Sequence, residues 1–180
     1  ALEANTALPN IPKVGLQGGI NKSYSNISWY GKGKLENYID RNYGFPVGVY
    51  NQNVTDFNEP YAVPQETGNR TDVRWLLAHN TAGNGLLVVA DSLLSMNVWQ
   101  FTQENIETSK HTNTLKPADY LTLNIDWKQM GVGGNDSWSE VAAPLKQYQI
   151  KSGNYQYSFY LTPYKQGKKV MGDAANKLRF

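Results

Sequence analysis

The chain has 180 residues, 40% of them hydrophobic and 12% aromatic, enough for one domain with a real core and too apolar for a disordered segment. Its net charge of +2 comes from scattered basic residues, apart from a short cluster at 165–169, so nucleic acid is not an expected partner. Cysteine is absent, which removes disulfides and thiolate chemistry; no apolar run approaches the ~20 residues of a membrane helix, so no membrane partner is expected. In chain order, residues 46–50 are the first strand candidate. Val73, Trp75 and Leu77 mark a second, and residues 80–85 (Asn-Thr-Ala-Gly-Asn-Gly) join it as a hairpin to an apolar strand at 85–90, with the Asn-Gly pair favouring the turn. Residues 97–101 read as a further short strand. Residues 102–108 carry the one helical pattern, with Thr102 as N-cap and Glu104 in the first turn. Leu121, Leu123, Ile125 and Trp127 alternate with polar neighbours, the period of a half-buried strand, and Tyr155, Tyr157, Phe159 and Leu161 do the same. Short strands separated by turns predict an all-β fold, with antiparallel sheets packed face to face as a β-sandwich. Residues 1–8 are expected to be a mobile end, 9–164 the sandwich and 165–180 a peripheral tail.

One segment stands apart. Residues 130–138 read Met-Gly-Val-Gly-Gly-Asn-Asp-Ser-Trp. Three glycines in four residues permit a sharply folded loop, and Asn135 and Asp136 can support it through bonds to their own backbone. Trp138 then stands at the end of a polar loop. A flat indole beside polar groups suits the apolar face of a sugar ring; the plainer reading is a tight turn followed by a core tryptophan. Without a following Lys-Ser/Thr, the glycine run is no phosphate loop. Trp29, Trp75, Trp99 and Trp127 lie in strand-like runs and are expected in the core. Glu36, Asp40 and Arg41 form either a polar network around the first glycine loop or a surface salt bridge. Arg70, Asp72 and Arg74 alternate and so should share one sheet face as a structural charge cluster. His79 and His111, the only histidines, have no metal-ligand spacing. No pair of carboxylates stands out by position as the acid/base and nucleophile of a retaining glycosidase.

Four blocks in register carry a resemblance. Residues 29–41 (Trp-Tyr-Gly-Lys-Gly-Lys-Leu-Glu-Asn-Tyr-Ile-Asp-Arg), 64–75, 123–126 (Leu-Asn-Ile-Asp) and 131–138 occur in that order. Together they resemble the C-terminal domain of the large bacterial β-galactosidases of glycoside hydrolase family two, over about residues 9–163. Lys32 stands where that family usually has arginine, and Lys34 and Ile39 where it usually has prolines.

The resemblance implies a galactose-mutarotase-like super-sandwich, of which this chain is the C-terminal portion, a partial domain. It implies a non-catalytic segment of an enzyme that hydrolyses terminal β-D-galactosides such as lactose. Both catalytic glutamates, and the Mg and Na ions, belong to a separate barrel domain, so no catalytic residue, metal ligand or cofactor is expected here. Trp138 is then a substrate-binding residue for the galactoside, on a loop supported by Asn135 and Asp136. The partners it implies are the remaining domains, and self-association follows from sheet edges left uncovered. The source is bacterial, with cytoplasm and periplasm both open. Two other functions compete: a free-standing carbohydrate-binding module built on the same indole, and a mutarotase-like sugar epimerase, which needs a histidine and a glutamate facing one sugar.

Overall fold

The computed structural model of the chain describes residues 9–134 and 139–170. Its strands are β1 Lys13–Asn21, β2 Asn26–Lys32, β3 Val47–Asn53, β4 Arg70–His79, β5 Asn84–Trp99, β6 Tyr120–Gln129 and β7 Phe159–Lys165. They make one open, antiparallel seven-stranded sheet of order β1-β6-β5-β4-β2-β3, with β7 also paired to β5. The all-β, antiparallel expectation holds, and the sheet is consistent with a β-sandwich domain.

β5 organises this sheet. Its 16 residues run along β4 on one side. On the other side its first half pairs with β7 and its second half with β6. Asp91, Ser92 and Leu93 are exposed where the two halves meet. The segments expected as separate strands at 85–90 and 97–101 are therefore parts of one, which ends at Trp99 rather than Phe101. Central position explains its composition: Leu87 and Val89 face one side, Val88, Met96 and Val98 the other, and both sides are covered.

The β4–β5 hairpin exists, but its turn is residues 80–83, closed by Asn80 and Gly83, with Asn84 and Gly85 already in the strand. The helix α1 spans Gln103–Thr108, and Thr102 Oγ1 caps it by accepting from Asn105 N at 3.0 Å. Tyr155 and Tyr157 precede β7 rather than belong to it. Tyr155 packs on Trp127 with ring centroids 4.8 Å apart, and the Tyr157 hydroxyl donates to Ile125 O at 3.0 Å. Their alternation serves ring packing, not strand pairing.

One face of the sheet carries the main core, including Ile27, Trp29, Leu76, Val88, Met96, Leu123 and Ile125. Trp29, Trp75 and Trp99 are buried as expected, while Trp127 is only half-buried. Arg70, Asp72 and Arg74 do not share a face. Asp72 has φ +54°, and the β4–β5 register shifts on both sides of Val73. Such a bulge breaks the two-residue period. Arg70 goes into the core against Trp29 and Phe57, whereas Arg74 lies over Tyr30, in the second, smaller cluster.

Candidate functional site

Three segments meet: the connection after β2, the segment before β4, and the glycine run after β6. Glu36 joins the first two. Its Oε1 accepts from Arg41 Nη2 at 2.6 Å and from the Tyr61 hydroxyl. Its Oε2 accepts from Gly68 N at 2.9 Å and Thr67 Oγ1 at 3.3 Å, with the Tyr38 hydroxyl at 3.5 Å. This is a buried, saturated carboxylate, not a surface salt bridge. Burial, with Glu36 beside them, raises both tyrosines' pKa, so Tyr38 and Tyr61 remain donors. Asn37 is the second link. Its Oδ1 accepts from Thr71 N and Oγ1, and its backbone exchanges bonds with Asn69. No sequence pattern singles out Asn37 or Tyr61, because the partners through which they join the segments lie 20 to 34 residues away.

Asp40 leaves the Glu36 network and turns to the glycine run. Its Oδ2 accepts from Gly133 N at 2.9 Å, across 93 residues of sequence. Gly131 N donates to Tyr148 O at 2.9 Å, and Gly134 N to Ala142 O at 3.0 Å. Gly133 has φ +85°, and a Cβ there would fall 2.0 Å from Ala142 O. A side chain is excluded on both counts. The base of the loop is thus tied on each side of residues 135–138. Asn135, Asp136 and Trp138, the expected substrate-binding set, lie outside the described residues.

Beside this base lies a cleft of ≈ 460 Å³ lined by Tyr38, Arg41, Tyr61, Gln65, Glu66 and Gln129, together with Gly131 to Gly134. Its floor continues into a polar layer between β1, β6 and β5. Glu66 meets Lys13 Nζ at 3.4 Å and accepts from Asn97 Nδ2 at 2.9 Å. Asn97 accepts from Asn124 Nδ2, and Asn124 accepts from Gln17 Nε2 at 2.8 Å. Asp126 lies on the same layer, 2% exposed and packed against the bare Cα of Gly15. Burial raises the Glu66 pKa against the pull of Lys13, and pushes Asp126 up to about 7.

Chemically, the cleft offers phenol, guanidinium, amide and backbone groups suited to binding hydroxyls. The carboxylate that lines it, Glu66, is engaged by Lys13 and Asn97, and Glu36 behind Arg41 and Tyr61 is engaged by its donors. Among the described residues no group of three or more His, Cys, Asp or Glu is placed to hold a metal ion. His79 lies half-buried with Nδ1 3.1 Å from Asn80 O, and His111 is exposed.

Comparison with known proteins bears on these blocks directly. The family model described as "Beta galactosidase small chain" matches residues 1–161. The chain is 34% identical over 164 residues to the β-galactosidase of Priestia megaterium (strain DSM 319 / IMG 1521), covering 91% of this chain and 16% of that protein. It is 36% identical over 159 residues to the β-galactosidase of Pseudoalteromonas haloplanktis, covering 88% and 14%. A third β-galactosidase, from Vibrio cholerae serotype O1, is 36% identical over 154 residues, again with 14% of its length covered. The chain therefore spans about one-seventh of the relatives it matches. With the family model covering most of the sequence, the chain belongs to the β-galactosidase small chain family.

Proposed function

We propose that this chain is the C-terminal, non-catalytic part of a β-galactosidase acting on terminal β-D-galactosides such as lactose, and that Trp138 forms one wall of its sugar site. The observation that carries this reading is the tied glycine run that precedes residues 135–138, with Gly133 held by Asp40, Gly131 by Tyr148 and Gly134 by Ala142. The catalytic glutamates, magnesium and sodium belong, on this reading, to the barrel domain of the same enzyme. An indole against a sugar face contributes on the order of 1 kcal/mol, enough to orient a substrate and unable to move a proton.

In the complete enzyme, Trp138→Ala is expected to raise KM for lactose about fivefold, corresponding to that ~1 kcal/mol, without loss of folded enzyme. The purified chain alone is expected to leave a chromogenic galactoside intact. An unchanged KM removes Trp138 from the site, and clear turnover by the isolated chain overturns the non-catalytic assignment. Quenching of its tryptophan fluorescence by millimolar galactose favours the carbohydrate-binding module instead.

The same proposal includes self-association. Among the described residues β3 is paired only on its β2 side, and it exposes Val47 and Val49 along one face. Such an edge is a template for another chain. Sedimentation of the isolated chain is expected to show concentration-dependent association. A monomer that stays compact at high concentration counts against it.

A further inference from the structure

We propose that Asp40 is a positioning residue for the sugar site, fixing the base of the glycine loop through its carboxylate. The proposal rests on the reading of Trp138 given above and assigns the residue that holds its loop.

Asp40 sits in a short turn closed by Arg41 N donating to Tyr38 O at 2.9 Å. The flanks of that turn are themselves anchored, Tyr38 by burial and Arg41 by Glu36. The carboxylate is therefore presented from a rigid support. Its Oδ2 satisfies Gly133 N, whose positive-φ conformation keeps it out of any sheet ladder. A backbone N–H left without an acceptor in such a place is costly, so the bond selects the loop conformation. Oδ1 is buried and, among the described residues, has no hydrogen-bond partner. Gly131 is cut to fit it: a Cβ there would lie 2.5 Å from Oδ2 and 2.7 Å from Cγ. Two of the three glycines thus have separate jobs. Gly131 makes room for Asp40, and Gly133 adopts the conformation that Asp40 caps. Gly134 needs neither, since among the described residues a Cβ there would meet nothing within 4 Å.

A clamp of this kind acts on substrate only through the loop, and a double-mutant cycle in the complete enzyme tests it. Asp40→Ala is expected to raise KM for lactose about fivefold, the factor of one ordinary hydrogen bond, with kcat changed much less. Asp40→Asn keeps an acceptor for Gly133 N and is expected to restore most of the loss. On a Trp138→Ala background, Asp40→Ala is expected to add nothing further. If Trp138→Ala raises KM and Asp40→Ala does not, the clamp is wrong and the tryptophan assignment stands. If Trp138→Ala has no effect, the tryptophan assignment itself fails. An Asp40→Ala effect that persists in full without the indole shows that Asp40 acts elsewhere, and also overturns the clamp. Should Asp40→Ala not yield folded enzyme, Gly131→Ala displaces the carboxylate without removing it, and the same outcomes apply.

Discussion

Replacing Arg70 with methionine is expected to lower the stability of the protein by about 3 kcal/mol or more. Arg70 is 1% exposed, yet it carries a full guanidinium into the main core. Its Nη1 donates to Gly68 O at 3.0 Å and Asn69 O at 3.3 Å, and its Nη2 to Gln52 Oε1 at 3.1 Å and Phe57 O at 3.2 Å. The charge lies 4.2 Å from the Phe57 ring centroid and 5.1 Å from that of Trp29. Burial pulls the pKa down to about 10, still well above neutrality, so the group stays charged. Carbonyl dipoles and ring faces compensate it at close range, and the charges of Glu36 and Glu59 support it, although among the described residues no carboxylate forms a salt bridge with it. Methionine fills the volume but leaves these acceptors buried and unpaired. The segment before β4 should loosen with it, because three of the four acceptors are its backbone carbonyls. Arg70→Lys is expected to rescue little, as one ammonium cannot reproduce the planar fork. Urea denaturation checks this: a midpoint for Arg70→Met close to that of the parent, at unchanged slope, would contradict it.

The second large effect concerns pH. Asp126 has a folded pKa of about 7 because burial penalises its charge and Glu66 adds to the penalty, with Lys13 opposing. Its unfolded value is near 3.8. The folded pKa is the higher one, so the native state holds a proton that the unfolded chain releases. Stability from this group is therefore fully present below about pH 4 and is lost as pH rises through about 7. The loss amounts to roughly 4 kcal/mol, from about three pKa units at ~1.4 kcal/mol each. Asp126→Asn cannot ionise and should escape it. The amide also supplies donors on a layer where Gln129 Oε1 has no partner among the described residues. Comparing urea midpoints at pH 5 and pH 8, the advantage of Asp126→Asn over the parent is expected to grow with pH. A constant difference between the two proteins would mean that Asp126 is already ionised in the native state.

Much of this architecture is legible along the chain. Strand β6 announces itself by alternating apolar and polar residues over several positions, and β4 by the apolar residues Val73, Trp75 and Leu77 at every second position. The cap of α1 is legible because Thr102 and Asn105 lie three residues apart. Strand β1 is not, since Gly15, Gly18 and Gly19 interrupt its alternation, and its pairing with β6 supplies the order. The same limit hid the true face of Arg70. Alternation assigns faces only while the register is unbroken, and the bulge at Asp72 breaks it.

The amino-acid sequence alone determined the β class, the capped helix, the glycine-rich loop and the four blocks that carry the family likeness. These are local properties, set by periodicity, capping chemistry and short motifs. Only the tertiary structure decided that Glu36 is buried and saturated, that β5 is one strand serving two neighbours, and that Asp40 seats itself on Gly131 to hold Gly133. Each of those depends on groups tens of residues apart meeting in three dimensions, where burial and hydrogen bonding, not spacing along the chain, select the partner.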